Sequence, residues 1–308
     1  MNFADLLQAS IKRSGSFVAA GFDPRLESFP EFILTQAWAG AKDSEDAVYQ
    51  ALTNFHSIAL EALFPQIAAV KPNLAFFEAY GIAGLRAFAA ICRMAKERGL
   101  PVVADAKRGD IGTTAKAYSS AFLGQSSAFK KTAPVFDADA LTINPFLGFD
   151  TLDVFLEDCK NFGKGVFVLV KTSNPGSGDI QNEILQNGET VSQKIAAWAD
   201  KQGRSLIGAC GYSSLGVVVG ATYPQEARAL RARMPHNLFL IPGMGAQGGT
   251  AKDAVAGFSE KKDGAIINIS RALLSAFSKG CSSREEMTQE LQAKISSFNG
   301  EIAAALAA

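Results

Sequence analysis

Four charged residues, Lys71, Asp105, Lys107 and Asp110, stand at or just past the ends of apolar runs. The stretch "VVADAKRGDIGTT" (102–114) carries three of them. Alternate residues of a strand share a face, so Asp105 and Lys107 point the same way. Lys71 ends the neighbouring run "QIAAVKP" (66–72) and can reach the same spot. Asp110 falls at the start of the next helix, where a carboxylate also suits the helix dipole. Ammonium and carboxylate groups placed alternately keep one another ionised. Such a cluster serves either as a preorganised proton donor or as a salt-bridge scaffold. These residues alone leave both open.

A second constellation lies near the end of the chain. "PGMGAQGGT" (242–250) contains four glycines, and "SRALL" (270–274) follows one strand later. Glycines let a backbone approach an anion closely. Arg271 can give a phosphate two parallel hydrogen bonds. Together they point to a phosphorylated small molecule held opposite the Lys/Asp cluster.

The totals exclude several classes. Lys plus Arg and Asp plus Glu both number 30, so no basic excess suggests nucleic-acid binding. Cys92, Cys159, Cys210 and Cys281 are dispersed and read as reduced structural thiols, not as a disulfide framework or zinc site. The start "MNFADLLQASIKRSGS" reads as an amphipathic helix rather than a signal peptide. No long uncharged apolar stretch suggests a membrane span. The chain reads as soluble and cytoplasmic. The two histidines, His56 and His236, lie in no catalytic motif and read as surface or half-buried. Proton movement would then fall to Lys, Asp or Glu.

Eight short apolar runs are predicted as strands: 16–23, 66–72, 101–107, 138–144, 165–173, 216–222, 237–243 and 264–270. Their near-continuous Val, Ile, Leu and Ala content suits parallel strands covered on both faces. Helical patterns alternate with them, as in 43–63, 80–99, 223–234 and 283–307. This order predicts an α/β protein, a (β/α)8 TIM barrel over 1–308 as a single domain, with a doubly wound sheet as the competitor. Active sites of barrels lie at the C-terminal ends of the strands. Asp23, Lys71, Asp105, Lys107, Thr142, Asn144, Lys171, Ser173, Ser270 and Arg271 all fall there. The polar stretch 173–190 after the fifth strand reads as a lid. The 27–44 stretch reads as a cover on the barrel.

"DAKRGDIGTT" resembles the signature of the orotidine 5'-phosphate decarboxylase family, in its longer bacterial form. "AGFDPR", "VKPNLAFFE", "TINPFLG", "KTSNPGSGDIQ", "GATYP" and "PGMGAQGGT" extend the resemblance, in order, along most of the chain. The resemblance implies that Lys107 protonates carbon 6 of the pyrimidine and that Asp105 faces the substrate carboxylate. It implies that Lys71 holds the ribose and Asp105. Asp110 and Thr114 would reach into the site of a second subunit. Asp23 would contact the ribose, Ser173 the pyrimidine, and Gln247 and Arg271 the phosphate. Asn144 would be a further substrate contact. The family forms homodimers and uses neither metal nor cofactor.

The residues leave three rivals open. A related barrel decarboxylates β-keto sugar phosphates with Mg2+ held by further carboxylates, for which Glu78 is the candidate here. A Schiff-base aldolase would use Lys107 or Lys171. A non-catalytic nucleotide-binding barrel would bind UMP without turnover.

Overall fold

The computed structural model describes residues 1–245, 248–275, 277 and 281–308. Eight parallel strands form the centre: β1 (Val18–Phe22), β2 (Ala69–Pro72), β3 (Val103–Arg108), β4 (Ala140–Ile143), β5 (Gly165–Lys171), β6 (Ser213–Val219), β7 (Asn237–Ile241) and β8 (Ala265–Ile269). Around the sheet the order is β2-β1-β8-β7-β6-β5-β4-β3. Bridges Val70–Val102 and Asn73–Asp105 join β2 to β3 and close the ring. This is the expected (β/α)8 barrel.

The sixth strand lies three residues earlier than its apolar run suggests, at Ser213–Val219. Its first residues are polar but fully served. Ser213 Oγ donates to Gly203 O at 2.8 Å, and Ser214 Oγ accepts from the Ala4 amide at 3.2 Å. Hydroxyls satisfied by backbone groups can sit inside a barrel.

Helices cover the outside. Asp43 caps Ser44–Leu63 through the Asp46 amide, and Ser283 caps Arg284–Ala307 through the Glu286 amide. The helix Gly81–Glu97 stops before Gly99, which takes a left-handed φ of +71°. Pro224–Arg233 places its proline in the first turn, where no amide hydrogen is needed. Glu31–Gly40 packs Ile33 and Ala37 inward and contacts Ser44–Leu63, so this part of the 27–44 stretch lies on the helical layer outside the barrel. His56 lies between these layers and is wholly buried against Phe22, Phe55 and Phe77, a correction to its expected half-exposed place.

The barrel floor is closed by the N-terminal helix Phe3–Ser14. Phe3 inserts edge-on against Phe167, with ring centroids 5.8 Å apart. Above them Leu169, Val218 and Leu240 form an apolar platform. Polar chemistry is thereby confined to the strands' C-terminal ends. Among the described residues no helix is long and apolar enough to cross a membrane.

Candidate active site

A cavity of about 430 Å³ opens at the C-terminal mouth of the barrel. Its wall includes Asp23, Lys71, Asp105, Lys107, Ser173 and Arg271, six of the residues singled out from sequence. They come from or directly follow β1, β2, β3, β5 and β8, so only the closed barrel brings them together.

Asp105 is the hub. One carboxylate oxygen bonds the Lys71 ammonium, and the other accepts from Lys107 Nζ at 2.5 Å. Thr142 Oγ1 donates to that second oxygen at 3.0 Å and accepts the Lys107 amide at 2.9 Å. Burial alone would raise the Asp105 carboxyl. The Lys71 charge and then the Lys107 charge outweigh burial and hold it well below the usual carboxylate range. Lys71 is nearly enclosed, with 5% of its side chain exposed, whereas the Lys107 side chain is 50% exposed. Lys71 thus anchors the carboxylate from below, and Lys107 presents its ammonium to the cavity.

The backbone of β3 is irregular here. Between Ala104 and Arg108 it advances four residues while β4 advances two. Lys107 takes φ +48°, a left-handed conformation that costs a non-glycine residue about 1–2 kcal/mol. Simple alternation foresaw that Asp105 and Lys107 meet, but not that a bulge achieves it. Arg108 leaves the site, donating to Glu78 at 2.6 Å and lying 5.2 Å from the Tyr118 ring. Glu78, the carboxylate a metal-holding rival would require, is therefore engaged outside the cavity. Among the described residues no three His, Cys, Asp or Glu side chains gather as a metal cluster.

On the β1–β8 side, Asp23 Oδ1 and Asn268 Oδ1 are buried acceptors without a donor, and both residues line the cavity. Two acceptors left open on one wall suit a ligand that brings hydroxyl or amide hydrogens. Gly21 makes room for this wall, since a Cβ there would stand 1.9 Å from Ser270 Oγ. Sequence reasoning did not single out Asn73 and Asn268, which also line the cavity. Their positions two residues from Lys71 and from Ser270 were the available signal.

Other expected residues stand elsewhere. Asp110 precedes the helix Gly112–Phe122 rather than capping it; its carboxylate accepts the Ile111 amide at 2.8 Å. Asp110 and Thr114 therefore do not share a helix face, and Thr114 is exposed. Neither lines the cavity of its own chain. Asn144 is exposed and accepts the Phe146 amide at 3.0 Å, outside the cavity. Gln247 lies outside the described residues. In the glycine loop, the amides of Gly245, Gly248 and Gly249 bond carbonyls within the loop itself. That loop reaches the cavity through Pro242, Gly243 and Met244, beside Arg271. The 173–190 stretch is not a featureless loop, for it contains the turns Pro175–Ser177 and Gly178–Gln181. Lys171, offered above as a Schiff-base candidate, is fully buried and does not line the cavity.

Comparison with known proteins matches this geometry to one family. The family model described as "Orotidine 5'-phosphate decarboxylase / HUMPS family" matches residues 54–282. The orotidine 5'-phosphate decarboxylase of Rhodopirellula baltica is 42% identical over 276 residues, covering 90% of this chain and 89% of that protein. The solved Leishmania donovani OMP decarboxylase shares 33% identity at a TM-score of 0.73, with all of both chains covered. The chain spans 57% of the Leishmania donovani UMP synthase structure, to which 99% of it aligns at 35% identity and a TM-score of 0.74. The chain thus belongs to the orotidine 5'-phosphate decarboxylase / HUMPS family and is, like the relatives bearing the first of those names, a carboxy-lyase.

Proposed function

We propose that this chain converts orotidine 5'-phosphate to UMP and CO2 in pyrimidine biosynthesis in the cytoplasm, without metal or cofactor. The observation that carries the reading is the Asp105 carboxylate gripped by Lys71 and Lys107 at the cavity wall.

Breaking the bond from carbon 6 to the carboxylate leaves an electron pair in the ring plane, where the ring π system cannot spread it. A fixed positive charge must meet it. Lys107 is such a charge, preorganised by Asp105 and, through its backbone, by Thr142. As CO2 departs, Lys107 gives a proton to carbon 6, a new C–H bond forms, and the lysine regains its proton from water. Asp105 would face the substrate carboxylate, and its repulsion would raise the ground state, a smaller contribution than the Lys107 charge makes. Asp23 and Lys71 would hold the ribose, Ser173 the pyrimidine, and Arg271 with Gln247 the phosphate. Phosphate contacts lie away from the reacting carbon, so their binding energy can order the 173–190 segment over the substrate.

Asp110 and Thr114 are proposed to serve a neighbouring subunit's site in a homodimer. Their position outside their own cavity supports this. So does the exposure of apolar Ile111, Phe146 and Leu147 after the adjacent strands β3 and β4.

The test follows orotidine 5'-phosphate absorbance with and without EDTA. Turnover unaffected by EDTA, abolished in Lys107→Ala while UMP still binds, is the expected result. Loss of activity with EDTA would favour the Mg2+-dependent sugar-phosphate reading. UMP binding without turnover would make the chain a non-catalytic barrel.

A further inference from the structure

We propose that Lys171 is a positioning residue: its buried ammonium ties the 173–190 segment to the helix after β6 and so sets where Thr172, Ser173 and Asn174 stand in the cavity wall.

Lys171 ends β5, two residues after Leu169, which lines the cavity. Regular alternation would aim Lys171 into the cavity as well. Instead the register against β6 slips between Leu169 and Lys171, with Leu169 facing Val218 and Lys171 facing Val219. The extra residue turns Lys171 out of the mouth, where its side chain is fully buried. Its Nζ donates to Asn182 Oδ1 at 2.6 Å, lies 3.2 Å from Glu226 Oε2 and sits 4.4 Å from the centre of the Tyr223 ring. An ammonium buried only to fill space would be replaced without loss by an apolar residue. This one holds partners from two separate elements, Asn182 in the 173–190 segment and Glu226 in the helix Pro224–Arg233.

Both partners lead back to the cavity. Asn182 follows Gln181, whose side chain accepts the Thr172 amide and donates to Thr172 Oγ1, each at 2.9 Å. Thr172 Oγ1 in turn donates to Asn174 at 2.7 Å. On the other side, Thr222 Oγ1 donates to Ser173 O at 3.3 Å, next to Tyr223 in sequence. Gly220 donates its amide to Lys171 O at 2.8 Å, and a Cβ on Gly220 would stand 2.9 Å from Ser173 Cα. Thr172, Ser173 and Asn174 are thus held between the 173–190 segment and the start of the helix Pro224–Arg233, which meet on the Lys171 ammonium. The Asp105–Lys107 cluster belongs to β3 and does not depend on this tie.

The kinetic readout rests on the decarboxylase reading; a proteolytic one does not. Lys171→Met is expected to raise KM for orotidine 5'-phosphate and Kd for UMP together by roughly tenfold, the scale of one lost hydrogen bond to a charged group. The maximal rate should change much less, because the reacting cluster is untouched. Cleavage after Glu183 by a glutamate-specific protease should accelerate while the far-UV circular dichroism stays that of the parent. Asn182→Ala, which leaves the Lys171–Glu226 pair in place, should shift KM and cleavage in the same direction. The double variant should be no worse than Lys171→Met alone. Should Lys171→Met fail to fold, Asn182→Ala and Glu226→Gln carry the test. Parental KM and parental cleavage in Asn182→Ala, or additive effects in the double variant, would overturn the proposal. A parent protein that never turns over the substrate would sink the decarboxylase reading, and the cleavage assay would still decide the role of Lys171.

Discussion

The Lys107 ammonium stands 2.5 Å from the carboxylate of Asp105, two residues earlier on the same strand. The contact coincides with a bulge in β3 and with a left-handed backbone at Lys107. Strain of this kind persists only where the surroundings overdetermine it. Here Thr142 supplies part of that constraint through the Lys107 amide.

Lys107→Gly and Lys107→Ala therefore separate the side chain from its backbone. Neither variant should turn over orotidine 5'-phosphate, because both lack the ammonium. The glycine variant should be the more stable by about 1 kcal/mol, since glycine adopts positive φ without penalty. Both leave Asp105 with the same remaining partners, so that loss cancels in the comparison. Urea unfolding measures the difference. Equal stability, or a more stable alanine variant, would show that the Lys107 backbone is not strained.

Thr142 bonds both halves of the pair, accepting from the Lys107 amide and donating to Asp105. Thr142→Val keeps the shape and removes both bonds, leaving the partly buried Lys107 amide unpaired at a cost of about 1 kcal/mol. Activity should fall by roughly 10- to 100-fold, mainly in kcat, because the Lys107 ammonium loses its fixed aim while the distant binding groups remain. Thr142→Ser should restore most of the rate. A valine variant with parental kcat would remove Thr142 from the mechanism.

The barrel was legible in the sequence because its strands are covered on both faces and read as continuous apolar runs. Asp105 and Lys71 were legible for the same reason, as charges at the ends of such runs. What escaped was decided between strands. The bulge at Lys107 and the slip that turns Lys171 away are register events against β4 and β6. No local pattern records them. The early start of β6 escaped because Ser213 and Ser214 look like turn residues until their backbone partners are known. Asn73 and Asn268 escaped because their signal was only a place two residues from Lys71 and from Ser270, which does not by itself tell a cavity wall from a strand interior.

His56 offers a test of the outer layer. Burial pushes its imidazole down to about 4, from an ordinary 6.5, although the hydrogen bond to Leu52 O opposes the shift. The unfolded chain takes up this proton first as pH falls. Stability should be level above pH 6.5 and decline between pH 6.5 and about 4, by about 3 kcal/mol from this group. His56 Nε2 has no partner, so an aromatic hydrocarbon should suit the site among Phe22, Phe55 and Phe77. His56→Phe should match or exceed parental stability at pH 7 and lose most of the decline above pH 4.5. Urea unfolding across that range checks it. An unchanged slope would assign the proton uptake to another group.

The homodimer reading yields a complementation experiment. Lys107→Ala lacks the proton donor of its own cavity, and Asp110→Ala lacks the carboxylate proposed for its neighbour's. Each alone should be nearly inactive. In a mixed dimer, one cavity combines Lys107 from the Asp110→Ala chain with Asp110 from the Lys107→Ala chain, and is complete. The other cavity lacks both. Random exchange makes half the dimers mixed, with one complete site in two, so about one quarter of the parental activity should return. Activity that stays at the sum of the separate variants, in a sample shown by native mass spectrometry to have exchanged subunits, would place Asp110 outside the neighbouring site. Its bond to the Ile111 amide would then be its whole role, one of shaping the turn into the helix Gly112–Phe122.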